Sequence, residues 1–170
     1  ALEQAVDEQL QYLQSKGGYP NAKAAAAVAV NPQTGQVLAM ASRPAFNPNL
    51  FAGGISSKDW KEINDNPNHP LDNKAISGEY PPGSTFKIIT GAAALEEKKV
   101  TPEEKILDTG KHWIIPKGNA MGEALGWLDF REALAKSDNV YFYEMGNRLG
   151  IDLLEKYARL FGLGKTTGIN

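Results

Sequence analysis

Ser84-Thr85-Phe86-Lys87 sets a hydroxyl and an amine three residues apart, the spacing at which helical side chains share a face. A serine hydroxyl attacks a carbonyl only when a neighbour takes its proton. An amine takes that proton only when neutral, which requires a pKa lowered by desolvation or nearby positive charge. The residues that follow, among them Ile88, Ile89, Ala92, Ala93 and Leu95, form an apolar helix able to desolvate Lys87. A helix that starts at Ser84 also aims its first N–H groups and its positive dipole end at an oxyanion formed in acyl transfer. Ser84 is thus a candidate nucleophile and Lys87 a candidate general base.

Ser137-Asp138-Asn139 is the second segment with chemical content. Ser137 is a candidate hydroxyl relay between the base and a leaving amine. Asn139 is a neutral amide suited to hydrogen-bond Lys87 and a substrate backbone, while Asp138 suits fixing the loop. Both segments also have a plainer reading. Ser84 can serve as a helix N-cap with Lys87 solvated, and Ser, Asp and Asn are common caps before a helix that begins near Val140. Short motifs by themselves leave the two readings open.

Composition narrows the classes. The 170 residues carry a net charge of -2 with no local Lys/Arg cluster, which argues against nucleic-acid binding. With no cysteine, neither a disulfide framework nor a thiolate metal site is possible. The only histidines, His69 and His112, have no HExxH spacing, which argues against a zinc site. No apolar run approaches the roughly 20 residues of a membrane span, and the N-terminus has no basic-then-apolar signal pattern.

The elements that must position these groups read as follows. Leu2, Val6, Leu10 and Leu13 predict an amphipathic helix over 2–16, stopped by Gly17-Gly18. Ala24–Val30 and Gln36–Ser42, separated by Asn31-Pro32-Gln33-Thr34-Gly35, predict a β-hairpin whose small side chains suit packing against a helix. The Pro-, Asn- and Gly-rich stretch 43–83 predicts one short helix at Ser57–Asn64, capped by Ser57. A buried central helix is expected from Ser84 to about Lys98, then a turn at Thr101-Pro102 with Pro at a first helical position. Residues 106–126 are irregular in pattern. Helices follow at Asp129–Ala135, Val140–Leu149 and Asp152–Phe161, with Gly146 a soft spot and Gly150 a separator.

S-x-x-K followed by S-D-N resembles the penicillin-recognising serine enzymes. The approach Pro70-Leu71-Asp72-Asn73-Lys74-Ala75-Ile76-Ser77-Gly78-Glu79-Tyr80-Pro81-Pro82-Gly83-Ser84 is similar to that of class B penicillin-binding proteins, nearest the rod-elongation type, penicillin-binding protein 2. Ala41-Ser42-Arg43-Pro44-Ala45-Phe46-Asn47-Pro48-Asn49 resembles the end of that family's first two strands. Ala135-Lys136-Ser137-Asp138-Asn139 with Tyr141-Phe142-Tyr143 resembles its second motif and following helix. The similarity spans most of 24–170.

The resemblance implies an α/β (α+β) transpeptidase fold, an antiparallel sheet flanked by helices with the Ser84 helix in the middle. The family's third motif, K-T-G, lies further downstream. Lys165-Thr166-Thr167-Gly168 has one residue too many and reads as a turn, so Lys165 is not assigned to catalysis. Residues 1–170 are accordingly expected to be the N-terminal portion of a transpeptidase domain, poorly stable alone; a sharp two-state melt would count against that.

The implied activity is D,D-transpeptidation on D-Ala-D-Ala stem peptides of peptidoglycan. Ser84 would be the nucleophile, Lys87 the base, Ser137 the relay and Asn139 a substrate and lysine ligand, with the Ser84 N–H as one oxyanion donor. The resemblance further implies trapping by β-lactams, no cofactor or metal, an extracytoplasmic site anchored elsewhere in the parent protein, and a membrane glycan polymerase as partner. The rivals are a class A β-lactamase, a β-lactam sensor domain and a non-catalytic cell-wall scaffold. Nothing here resembles the Glu-bearing loop of the first.

Overall fold

The computed structural model describes residues 1–168, which divide into two compact units at Tyr80/Pro81. In the first unit, helix α1 (Leu2–Ser15) turns a half-buried stripe of Leu2, Val6, Leu10 and Leu13 towards a hairpin of β1 (Ala25–Val30) and β2 (Val37–Arg43). The strands pair antiparallel from Ala25 opposite Arg43 to Val30 opposite Val37, with an irregularity at Ala29/Val30. Arg43 fastens the hairpin to α1, donating from Nε to Asp7 Oδ1 at 2.6 Å and from Nη1 to Glu3 Oε1 at 3.1 Å. The hydrogen bond from Arg43 holds the Asp7 carboxyl below the usual range.

Two short helices follow, α2 (Ser57–Asn64) and α3 (Lys74–Ser77). The cap of α2 is Ser56, not Ser57: Ser56 Oγ accepts the Asp59 N–H at 3.1 Å. Adjacent serines give the sequence no way to choose, and the bond falls to the one with extended backbone. Helix α3, absent from the sequence expectation, is tied to β2 by Ser42 Oγ, which accepts from the Lys74 N–H at 3.0 Å and donates to the Asp72 carbonyl.

The second unit carries the buried core. A single 3-10 turn, Gly83–Phe86, runs into helix α4 (Lys87–Glu96). The expected α-helix from Ser84 to Lys98 is therefore shorter, and Ser84 lies in the tighter turn. Ile88 is 61% exposed, so α4 buries one broad face and not its whole circumference. Ile89, Ala93 and Ala94 on that face meet Tyr141, Phe142, Met145 and Leu149 of helix α6 (Asn139–Leu160). The expected break at Gly150 appears as a non-helical residue (φ 72, ψ 169) joining two helical halves, while Gly146 stays helical.

Strands β3 (Ile106–Asp108) and β4 (Gly126–Leu128) pair antiparallel from the two ends of the stretch whose pattern is irregular. Three residues are too few for alternation to register. Thr101-Pro102 forms a turn without starting a helix. Helix α5 (Phe130–Ala135) begins with a complete capping box, Asp129 Oδ1 accepting the Glu132 N–H and Glu132 Oε2 accepting the Asp129 N–H.

Gly91 is where α4 comes closest to its neighbours. A Cβ there would stand 2.8 Å from Phe130 Cζ and 3.4 Å from Phe142 Cε1. Gly91→Ala should therefore destabilise by about 1–3 kcal/mol through overpacking, despite alanine's better helix propensity. A lowered denaturant midpoint with unchanged slope would show it. An unchanged or raised midpoint would mean that both rings move aside.

Candidate active site

The second unit brings together all four candidate residues. Ser84 stands at the exposed 3-10 turn, and Lys87, one turn on, is only 9% exposed. Ser137 and Asn139 arrive from the junction between α5 and α6. That junction is sharp because Ser137 takes a left-handed backbone (φ 56) and Asp138 then caps α6, accepting the Tyr141 N–H at 2.9 Å. Asp138 thus fixes the loop, as its type and place suggested. Ser84 itself makes no side-chain cap in its turn.

The hydroxyls of Ser84 and Ser137 are 2.8 Å apart, and Lys87 Nζ is 3.1 Å from Ser137 Oγ. Lys87 also hydrogen-bonds Asn139 Oδ1 at 2.7 Å and the Ser137 carbonyl. Its link to Ser84 thus runs through Ser137 and not along the helix face alone. An ammonium has three N–H groups for these three acceptors. A neutral amine has two, and both carbonyl-type oxygens can only accept, so they claim both. The lone pair is then left facing Ser137 Oγ. Losing one proton converts a donor to Ser137 into an acceptor from it, and the chain of hydroxyls can reverse to draw the Ser84 proton inwards.

Burial disfavours the charged amine and lowers the Lys87 pKa from its ordinary value, while the nearby Asp138 carboxylate opposes that. Asp138 is itself buried, and burial pushes its acid up, the Tyr141 N–H bond pulling the other way. The site opens into a cavity of about 690 Å³ lined by Ser84, Lys87, Ile115, Asn139, Phe142 and Tyr143, among others.

A supporting layer was not legible in the sequence. Asn119 Oδ1 accepts the Asn139 N–H at 2.8 Å, and the Gly118 carbonyl accepts from Asn139 Nδ2 at 3.1 Å. The Gly118 bond orients the side-chain amide so that its oxygen faces Lys87, while the Asn119 bond holds the Asn139 backbone. Asn119 is held in turn by buried Asp108, whose carboxylate also accepts N–H groups of Gly110 and Leu125. The one available signal was Asp108-Thr109-Gly110, a turn-forming triplet. Lys165 lies in an exposed bend beyond α6, in keeping with its reading as a turn residue. Among the described residues no group of His, Cys, Asp and Glu could hold a metal ion.

An exposed serine hydroxyl joined through a second serine to a desolvated lysine has the parts that serine acyl transfer requires, on a mixed α/β frame. The family model described as the penicillin binding protein transpeptidase domain matches residues 25–170, and the chain belongs to that family. It is 37% identical over 149 residues to the peptidoglycan D,D-transpeptidase MrdA of Acinetobacter baumannii, covering 85% of this chain and 22% of that protein. Pseudomonas aeruginosa PBP2, solved in complex with WCK 5153, superimposes with a TM-score of 0.77 at 38% identity, over 84% of this chain and 32% of that one. Penicillin-binding protein A of Mycobacterium tuberculosis, solved as a penicillin G acyl-enzyme complex, gives 0.75 at 37% identity, over 93% and 38%. The similarity is thus to the penicillin-binding protein 2 type, as the motifs suggested. The chain spans 22–30% of the length of the curated relatives it matches.

Proposed function

We propose that the parent protein is a peptidoglycan D,D-transpeptidase and that residues 1–170 form the N-terminal portion of its transpeptidase domain. Ser84 Oγ attacks the carbonyl of the penultimate D-alanine of a stem peptide. Its proton passes through Ser137 to Lys87 and returns to the departing D-alanine nitrogen as the C–N bond breaks. An amine of a second stem then displaces Ser84 from the ester, giving the cross-link and regenerating the hydroxyl. Asn139 holds Lys87 through Oδ1, and the Ser84 N–H is one donor to the oxyanion. β-Lactams enter the same path and stop at the ester.

The observation that carries this reading is the continuous chain Ser84 Oγ–Ser137 Oγ–Lys87 Nζ, with its far end buried and its near end exposed. The substrate lies outside the cytoplasmic membrane. No helix among the described residues is long and apolar enough to cross one, so we place the anchor elsewhere in the parent protein, with a membrane glycan polymerase as partner. Intact mass of the full-length protein after exposure to penicillin G tests the reading. One penicillin per chain, mapped to the peptide containing Ser84, is expected. Unmodified protein, or an adduct on another residue, would sink it.

A further inference from the structure

His112 is fully buried, at 0% side-chain exposure, and the proposed mechanism leaves it without a role. Both ring nitrogens are occupied. Nδ1 accepts the N–H groups of Ile114 at 3.2 Å and Ile115 at 3.0 Å, so it carries no proton. Nε2 faces Glu144 Oε2 at 3.1 Å and is therefore the protonated nitrogen, donating to the carboxylate. Glu144 is anchored on α6 by Arg148 Nε at 2.7 Å, and Arg148 Nη1 reaches Glu104 and the Lys99 carbonyl.

The ring thus clips a loop to a helix. That loop is closed by the His112 N–H to the Lys117 carbonyl at 2.9 Å and by the bridge between Lys111 and Gly118. It delivers two things to the site. Ile115 forms part of the cavity wall, and the Gly118 carbonyl takes one N–H of the Asn139 amide. Turning Asn139 Oδ1 away from Lys87 would free an amine N–H and leave the lone pair without a fixed direction.

We propose that His112 is a positioning residue for acylation: it holds the Lys111–Gly118 loop so that Gly118 fixes the Asn139 amide and, through it, Lys87. This deepens the acyl-serine reading above and rests on it. The decisive function is acceptance at Nδ1, because that bond shapes the loop, whereas the Nε2 bond only ties the ring to α6.

Two substitutions separate these functions. Asparagine places an oxygen near the Nδ1 position and loses the bond to Glu144. Glutamine reaches towards Glu144 but loses the acceptor near Cγ. In the full-length protein, His112→Gln and His112→Ala should slow acylation by penicillin G about 10- to 100-fold, the scale of a misplacement remote from the reacting atoms. His112→Asn should restore most of that loss, and amide exchange at Ile114 and Ile115 should slow again in parallel. Equal acylation rates in the Asn and Gln variants would overturn the proposal. So would faster exchange at both amides with an unchanged acylation rate. If the unaltered protein forms no adduct at Ser84, the transpeptidase reading fails first, and the exchange comparison alone still tests the clip.

Discussion

Ser84→Ala should leave the full-length protein with no covalent penicillin, whatever the concentration or incubation time. The substitution removes the only atom that can form the ester, and it should barely disturb the fold. Ser84 is exposed, makes no capping bond, and its described hydroxyl partner is Ser137, itself exposed to water. The unfolding midpoint should therefore stay within the scatter typical of surface substitutions, about 0.5 kcal/mol. The pairing of lost adduct with unchanged stability is what identifies a nucleophile. An adduct surviving at full stoichiometry would move the ester to another residue and void the assignment.

Lys87→Met should slow acylation by about 1,000-fold, inside the roughly 100- to 10,000-fold range that positioned proton transfer supplies. Methionine keeps the length and apolar stem but offers nothing to take the proton. It also leaves the partly buried Ser137 carbonyl and Asn139 Oδ1 without their donor, so some stability is lost, at most about 1–3 kcal/mol for each. Activity should fall far beyond what that loss explains at temperatures where the variant remains folded. With the neutral amine proposed as the base, wild-type acylation should rise with pH about a midpoint below the ordinary lysine range and level off above it, because burial favours the neutral form. Stability should rise from that midpoint up to the ordinary lysine value, since over that span the unfolded chain binds a proton that the folded chain has released. Asp138→Asn removes the charge that opposes this and should move the acylation midpoint to still lower pH. An acylation rate that shows no rise at any pH below the ordinary lysine value, with the protein folded throughout, would rule out Lys87 as the titrating base.

The long periodic elements were readable before the structure. The stripe on α1, the hairpin with its Gly-containing loop and the helices after Asp129 all follow from spacing and turn residues. Ser84, Lys87, Ser137 and Asn139 were readable as well, because each segment carries reactive side-chain types at tight local spacing. What escaped was whatever depends on distant partners. Asn119 and Asn139 meet across 20 residues, and His112 and Glu144 across 32. No local pattern announces such pairs, since each side chain in isolation suits an exposed loop or helix face. The placement of Ser84 in a 3-10 turn escaped for another reason: 3-10 and α windings share the same residue preferences over a single turn.

That turn sets the geometric relation between Ser84 and Lys87. Three residues complete a revolution in 3-10 geometry, so Ser84 sits eclipsed with Lys87 along the axis; in α geometry it would fall about 60° short. An α-helical turn in its place would shorten the axial gap by roughly 1.5 Å and turn the hydroxyl by about 60° relative to Lys87. The α winding proper begins only at Lys87. The phase and spacing of the Ser84 hydroxyl over the buried amine are thus set by this single turn and not by the winding of α4.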